Sequence, residues 1–142
     1  MPAKLVLAVV WFDADLQEVR LTAESEEFAG QVNFYAGYRE LEEFAGSIQG
    51  FPSNSLDTRE YSFGQADLSG YGTATINFRC RDSTGHLIAE VAMRTYPISP
   101  GEPAQSAMVA IRFVPSDLDR FVQEVRGMDN RVGAHAVLIG AA

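Results

Sequence analysis

The segment INFRCRDSTGHLIAEVAMR, residues 76–94, concentrates the side chains best suited to chemistry. It holds the chain's single cysteine, Cys80, one of its two histidines, His86, and three of its eleven lysine and arginine residues. A cysteine thiolate beside a histidine base is the arrangement of a nucleophilic enzyme. The spacing favours a β-hairpin instead, because Ile76, Phe78 and Cys80 alternate on one face and Asp82 to Gly85 form a turn.

In such a hairpin we expect Cys80 to be buried and inert, since a free cysteine commonly behaves as a small hydrophobe. His86 begins the returning strand close to Cys80, so a Cys80–His86 catalytic pair is the less favoured alternative. The basic residues fall on the outer face and are expected to pair with acids across the hairpin. They are Arg79, Arg81 and Arg94, facing Glu90 and Asp82.

Other common sites lack their signatures. Structural zinc needs about four ligands, whereas the chain has one cysteine and two distant histidines, His86 and His135. The segment GYGTAT, residues 70–75, enters a predicted strand and not a helix, unlike a dinucleotide-binding loop. Asp13 and Asp15 suit a turn better than a calcium site. We therefore expect no catalytic residue, no metal and no cofactor.

Charge and hydrophobicity restrict the partners. The 142 residues carry a net charge of −8, and residues 1–60 hold eleven acidic and four basic side chains. This charge repels phosphates, so no nucleic acid is expected as a partner, and it attracts a basic protein. No apolar run approaches the roughly 18 residues of a membrane span. A single cysteine allows no internal disulfide and suits a reducing, cytoplasmic compartment.

Strands account for most of the predicted elements. The apolar run from Leu5 to Phe12 predicts a strand covered on both faces or lying near a helix, and not a secretion signal. Half-buried antiparallel strands alternate apolar and polar residues, as do residues 18–24, 28–34, 74–81, 86–94 and 107–113. Tyr61 and Phe63 alternate similarly, although the segment from there to Gly72 stays ambiguous.

Two segments repeat apolar residues at helical spacing. The first helix is predicted at residues 38–49, with the stripe Leu41, Phe44, Ala45 and Ile48. The second is predicted at residues 115–125, with the stripe Leu118, Phe121, Val122 and Val125. Ser116 is its expected N-cap, and Asp119 completes a capping box.

Strands that occur in runs, interrupted by two helices, indicate the α+β class. We predict an antiparallel β-sheet of six to eight strands packed against two α-helices, in a single domain over residues 1–142 without an internal repeat. Residues 132–142 are an apolar C-terminal strand or tail. Such a segment adds an edge strand within the molecule or forms a homodimer.

Three segments carry a family resemblance: FAGQVNFYAGYRELEEFAGSI (28–48), STGHLIAEVAMR (83–94) and AMVAIRFVPSDLDRFVQEV (107–125). This order of a strand entering a helix, a hairpin return and a strand entering a closing helix resembles the WapI-type family of bacterial immunity proteins. The resemblance covers about residues 5–127. It implies a cytoplasmic, non-catalytic protein that neutralises a toxin domain. The proline-rich loop at 97–103 and the apolar tail depart from the family's pattern.

Two functions are compatible with these features. The first is a non-catalytic protein-binding module, immunity-like, whose partner-binding residues are Asp13 and Asp15 in a turn and Glu42 and Glu43 on the outward side of the first helix. The second is a small-molecule-binding or enzymatic α+β domain with a pocket between sheet and helices. In a simpler alternative, the acids serve only solubility and the helix dipole.

Overall fold

The computed structural model describes residues 3–64 and 72–140. The strands are β1 (Lys4–Phe12), β2 (Leu16–Glu24), β3 (Ala29–Gly37), β4 (Thr58–Phe63), β5 (Gly72–Cys80), β6 (Leu87–Thr95), β7 (Gln105–Phe113) and β8 (His135–Ile139). The helices are α1 (Glu40–Ile48) and α2 (Pro115–Arg126). The predicted α+β class with antiparallel strands is confirmed. Residues 65–71, within the ambiguous segment, lie outside the described residues.

The strands divide into two four-stranded sheets. Sheet 1 has the order β3-β2-β1-β8 and sheet 2 the order β4-β5-β6-β7, and every neighbouring pair is antiparallel. Of the two alternatives for β1, coverage on both faces is wrong. Its inward residues Leu5, Leu7 and Val9 are buried, whereas its outward residues remain partly accessible to solvent.

The same order of four strands and a helix occurs twice. Sheet 2 consists of four consecutive strands followed by α2, and sheet 1 consists of β8, β1, β2 and β3 followed by α1. Each apolar residue of the α1 stripe also has a counterpart 77 positions later in α2, as Leu118 follows Leu41 and Phe121 follows Phe44. The expectation of no internal repeat is therefore wrong at the level of structure.

One core contains buried residues from both sheets and both helices. Both predicted helical stripes are buried. Aromatic rings form the centre of this core: Phe34 stacks on Phe63 at a centroid distance of 4.6 Å, and Phe44 contacts Phe63 and Phe121 at 5.0 and 6.1 Å. Burying one such side chain contributes roughly 2–3 kcal/mol, so this cluster is a main source of stability.

Glycine allows the two sheets to approach closely at two points. A Cβ atom on Gly72 of β5 would lie 2.0 Å from Val32 Cγ2 and 2.7 Å from the Asn33 carbonyl oxygen, both in β3. A Cβ atom on Gly30 of β3 would lie 2.6 Å from the Met93 methyl carbon in β6. Strand β3 therefore packs directly on the inner side of sheet 2.

The start of α2 differs from the prediction. Its N-cap is Val114, and the N–H of Val114 donates to the Asp117 carboxylate at 3.0 Å. The Ser116–Asp119 capping box is wrong because Val114 is still extended and Pro115 already occupies the first helical position, which suits its fixed φ.

The apolar tail forms β8, which pairs with β1 in the same molecule. Its outer edge lies beside α2, where the N–H of Val137 donates to the Glu124 carboxylate at 2.8 Å. A homodimer through this segment stays a prediction. Neither helix in the described part of the chain is long and apolar enough to cross a membrane.

Candidate functional site

The structure confirms the hairpin at residues 72–95, but it does not join Cys80 to His86. Cys80 is half-buried at the end of β5, and its Sγ lies 3.7 Å from the Asn54 carbonyl oxygen. His86 Nδ1 lies 3.1 Å from the Asp82 carboxylate and 2.9 Å from Thr84 Oγ1. The prediction that Cys80 is buried is wrong: it is only half-buried, because the strand ends there and its side chain lies at the rim of the core.

Thr84, His86 and Asp82 carry the groups of a catalytic triad in an unsuitable arrangement. In a triad the hydroxyl and the carboxylate contact opposite ring nitrogens of the histidine. Here both approach the same atom, His86 Nδ1, and the Thr84 hydroxyl also donates directly to Asp82. The Thr84 hydrogen bonds, and then His86, lower the pKa of Asp82. The group therefore stabilises the hairpin turn.

The arginines of the hairpin behave as surface residues. Arg79 Nε lies 2.8 Å from Glu90 on the neighbouring strand, as the sequence predicts. The predicted acid partner of Arg94 is absent from the described contacts, and its guanidinium lies 5.3 Å from the ring centre of Tyr96. Within residues 3–64 and 72–140, no three His, Cys, Asp or Glu side chains are grouped as metal ligands would be.

Asp13 and Asp15 lie in the turn between β1 and β2, as expected, but their roles differ. Asp13 accepts hydrogen bonds from the N–H groups of Asp15 and Leu16 at 2.8 and 3.0 Å. These bonds lower the pKa of Asp13, with the bond from Asp15 as the larger cause. The Asp15 carboxylate has no bonding partner among the described residues. Asp13 thus stabilises the turn, whereas Asp15 is free to contact another molecule.

Glu42 and Glu43 differ in the same way. Both are exposed on α1, but Glu42 forms an ion pair with Arg126 at the end of α2. Glu43 has no ion-pair partner in the part of the chain that the structure describes. Its charge, added to burial, helps to raise the pKa of Glu40. Burial, with the charges of Glu40 and Glu43, also raises the pKa of Tyr61 to about 12.

The structure brings the β1–β2 turn next to the start of α1. The hydroxyl of Tyr38 donates to the carbonyl oxygens of Asp13 and Leu16. Burial, and then the charges of Asp13 and Asp15, raise the pKa of Tyr38. The four acids in this region come from two separate places in the sequence, and we call the group of Asp13, Asp15, Glu40 and Glu43 the acidic end.

Exposed aromatic residues adjoin the acidic end, and the sequence analysis did not select them. Trp11 and Phe12 are each 42% exposed and immediately precede Asp13. Trp11 meets Tyr35 of β3 edge to face, with ring centroids 6.0 Å apart. A register shift between Val9 and Trp11 explains this exposure, since a bulge redirects the side chains that follow it. The available signal was two large aromatics followed directly by an acidic turn.

A polar row separates these aromatics from the rest of the outer face of sheet 1. Asn33 donates to the Glu18 carboxylate at 2.9 Å and accepts from Arg20 Nε at 3.2 Å. Glu18 lies opposite both Trp11 and Tyr35 in the strand register. These bonds hold the polar side chains in place beside the aromatic pair, so this surface is already ordered in the free protein.

The acids of residues 1–60 do not form a single face. The acidic end lies at one end of β2, and Glu26 and Glu27 lie in the turn at its other end. The nine residues of β2, at about 3.3 Å each, separate the two turns by roughly 30 Å. The sequence could not distinguish these two locations, because both contribute equally to the net charge.

No protein-family model matches the chain, and no curated protein or solved structure matches it either.

Proposed function

We propose that this chain is a non-catalytic protein-binding module of the immunity type, which binds a basic toxin domain through its acidic end and the adjoining aromatic residues. The observation that carries the proposal is that the exposed Trp11–Tyr35 pair adjoins the turn of Asp15, which Tyr38 joins to the start of α1, the helix of Glu43. These two carboxylates are exposed and unused by the fold. Tryptophan and tyrosine dominate the energetic centres of protein interfaces.

The aromatic pair and the acids have separable roles in this proposal. The rings provide apolar area that loses contact with water on binding, which mainly slows dissociation. Asp15 and Glu43 attract a positively charged partner and accelerate association, an effect that salt screens. Arg39 adds one positive charge to the same region as the N-cap of α1, which favours a partner surface of mixed but mainly basic character.

Packing in the interior gives less support to the alternative of a small-molecule pocket between sheet and helices. That space contains the rings of Phe44, Phe63 and Phe78. Arg79 and His86 lie at the surface in contact with Glu90 and Asp82 and so contribute nothing to such a pocket. We also place the protein in the cytoplasm, because its one cysteine is unpaired and a reducing compartment keeps it so.

An alanine scan tests the proposed surface against a basic toxin domain, to be sought among the products of neighbouring genes. We expect Trp11→Ala to weaken equilibrium binding by about 2 kcal/mol or more, as for a central interface residue. Ile98→Ala is the matched control, since Ile98 is 78% exposed but lies in a loop far along the chain. Unchanged affinity of Trp11→Ala and Tyr35→Ala in folded protein would reject this surface.

A further inference from the structure

Strand β7 is an edge strand whose outer side is unpaired. It hydrogen-bonds to β6, and to no other strand within residues 3–64 and 72–140. The N–H of Arg81 donates to the His86 carbonyl oxygen. This bond shows which residues of β5 and β6 direct their backbone N–H and C=O groups toward each other. Because antiparallel residues alternate between facing the partner strand and facing away, the unbroken registers assign the outward-facing groups of β7. These belong to Ser106, Met108, Ala110 and Arg112.

A groove of about 350 Å³ runs along this outer edge. Its far wall is the β2–β3 turn, with Glu26, Glu27 and Phe28, and its near wall includes Met108 and Ala110. The Arg112 carbonyl oxygen lies close to Gly140, where an added Cβ atom would be 2.6 Å away. The accessible part of the edge is therefore the stretch from Ser106 to Ala110.

The far wall is held in place before any ligand arrives. The Ser25 hydroxyl accepts hydrogen bonds from the N–H groups of Glu27 and Phe28 at 3.3 and 3.2 Å. The Ser25 N–H donates to the Phe28 carbonyl oxygen at 2.8 Å. Phe28 is nevertheless 71% exposed, and Met108 across the groove is 57% exposed. Two apolar side chains thus face solvent on opposite walls of a pre-formed groove.

The two sheet edges at β8 and β7 differ in their protection. At β8, the Glu124 carboxylate accepts the N–H of Val137, and α2 covers the edge. At β7, residues 105–111 contain neither a charged residue nor a proline, although proteins commonly use both to prevent unwanted strand pairing. An unprotected edge beside a groove is the arrangement in which an added strand supplies the missing hydrogen bonds.

We infer that the β7 edge is a second docking site, which binds an extended segment of a partner protein with alternating basic and apolar side chains. The segment adds as a strand to Ser106–Ala110, its apolar side chains contact Phe28 and Met108, and its basic side chains face Glu26 and Glu27. Neither glutamate has an ion-pair partner among the described residues. A second copy of this chain fits less well, since each copy carries a net charge of −8 and the β7 strand offers only Arg112 as a basic group. This site is independent of the acidic end.

A synthetic peptide of alternating lysine and valine, capped at both ends and labelled with a fluorophore, tests the inference by fluorescence anisotropy on the full chain. We expect saturable binding that an alternating glutamate–valine peptide does not show. Peptide addition should also shift the backbone amide resonances of Ser106, Met108 and Ala110 in the nuclear magnetic resonance spectrum. No saturable binding of the lysine peptide, or shifts confined to other strands, would overturn the proposal.

Two variants separate backbone pairing from side-chain contact. Met108→Pro removes an outward N–H and leaves the bonds to β6 intact, as proline at an edge position does, and should weaken peptide binding at least about tenfold. Met108→Ala keeps that N–H and should weaken binding less. Glu26 and Glu27 lie in an exposed turn, so their reversal to lysine should leave the fold intact. If Met108→Pro does not fold, this double reversal must still weaken peptide binding. Equal affinity of the wild type and the folded variants for the lysine peptide would refute the site. Self-association of the chain through β7 would also refute it.

Discussion

Phe44 of α1 and Phe121 of α2 meet edge to face, with ring centroids 6.1 Å apart and ring planes at 75°. They occupy equivalent positions in the two four-strand-and-helix units. The units therefore join through the same side chain of each helix, and the interior between the sheets and helices is filled with aromatic rings. Functional contacts must accordingly be sought on the outer surface.

Truncating either ring should destabilise the protein strongly. We expect Phe44→Ala and Phe121→Ala each to lower the free energy of unfolding by about 3–5 kcal/mol, because a cavity replaces a fully buried ring. The double variant should lose less than the two single losses combined, by about 0.5–1.5 kcal/mol, since the rings contact each other. Urea denaturation measures all three. Strict additivity would show that this contact does not couple the helices.

The local spacing of apolar residues was sufficient to predict the individual strands and helices. Alternation of Ile76 and Phe78 placed them correctly on the buried face of β5, and the stripe from Leu41 to Ile48 placed α1. The repeat was not visible, because the first strand of its first unit, β8, comes at the end of the chain. Two of its four helical counterpart pairs also share only apolar character, Ala45 with Val122 and Ile48 with Val125.

Gly72→Ala tests the close approach of the two sheets. The new Cβ would lie 2.7 Å from the Asn33 carbonyl oxygen, a backbone atom that moves only with strand β3. We expect a loss of about 1–3 kcal/mol in the free energy of unfolding, typical of overpacking. Gly37→Ala is the matched control, since nothing lies within 4 Å of its Cβ position. Equal stability of the two variants would mean that the sheets separate more easily than the packing indicates.

The adjacent glutamates of α1 should respond in opposite directions to removal of their charge. Glu42→Gln removes the ion pair with Arg126 and should destabilise the protein by about 0.2–1 kcal/mol. Glu43→Gln removes repulsion from half-buried Glu40 and should stabilise it by a few tenths of a kcal/mol. Chemical denaturation at neutral pH and low salt gives both signs. A loss of stability in Glu43→Gln would contradict the electrostatic account of this helix.

Long-range contacts explain why the sequence could not distinguish the acids that bind within the molecule from those that are available to a partner. Glu42 and Arg126 are 84 positions apart, so no local pattern links them. Reversal of Glu42 to lysine would place two positive charges together, because Arg126 is its ion-pair partner. Of the four acids that the sequence selected, Asp15 and Glu43 are the two whose charge can be changed without removing a hydrogen bond or ion pair among the described residues.

Acid should weaken the protein through its turn aspartates. Hydrogen bonds lower the folded-state pKa of Asp13, Asp57 and Asp82. Each therefore contributes stability above its unfolded pKa of about 3.9, which is lost as the pH falls through the lower folded value. Asp82→Asn should flatten the decline in unfolding free energy below about pH 4. Asp15→Asn is the control, and an identical acid response of both variants would contradict this assignment.

The association rate with the proposed partner, a basic toxin domain to be sought among the products of neighbouring genes, tests the central claim most directly. Trp11 is the chain's only tryptophan and lies in the proposed interface, so stopped-flow tryptophan fluorescence can follow binding. We predict that the double reversal Asp15→Lys and Glu43→Lys slows association about tenfold or more at low salt, and less at high salt. The equal-charge reversal Glu102→Lys and Asp119→Lys, at exposed residues outside both proposed sites, should slow it much less. Absence of a complex, or an association rate indifferent to salt and to the reversal at the acidic end, would contradict the account.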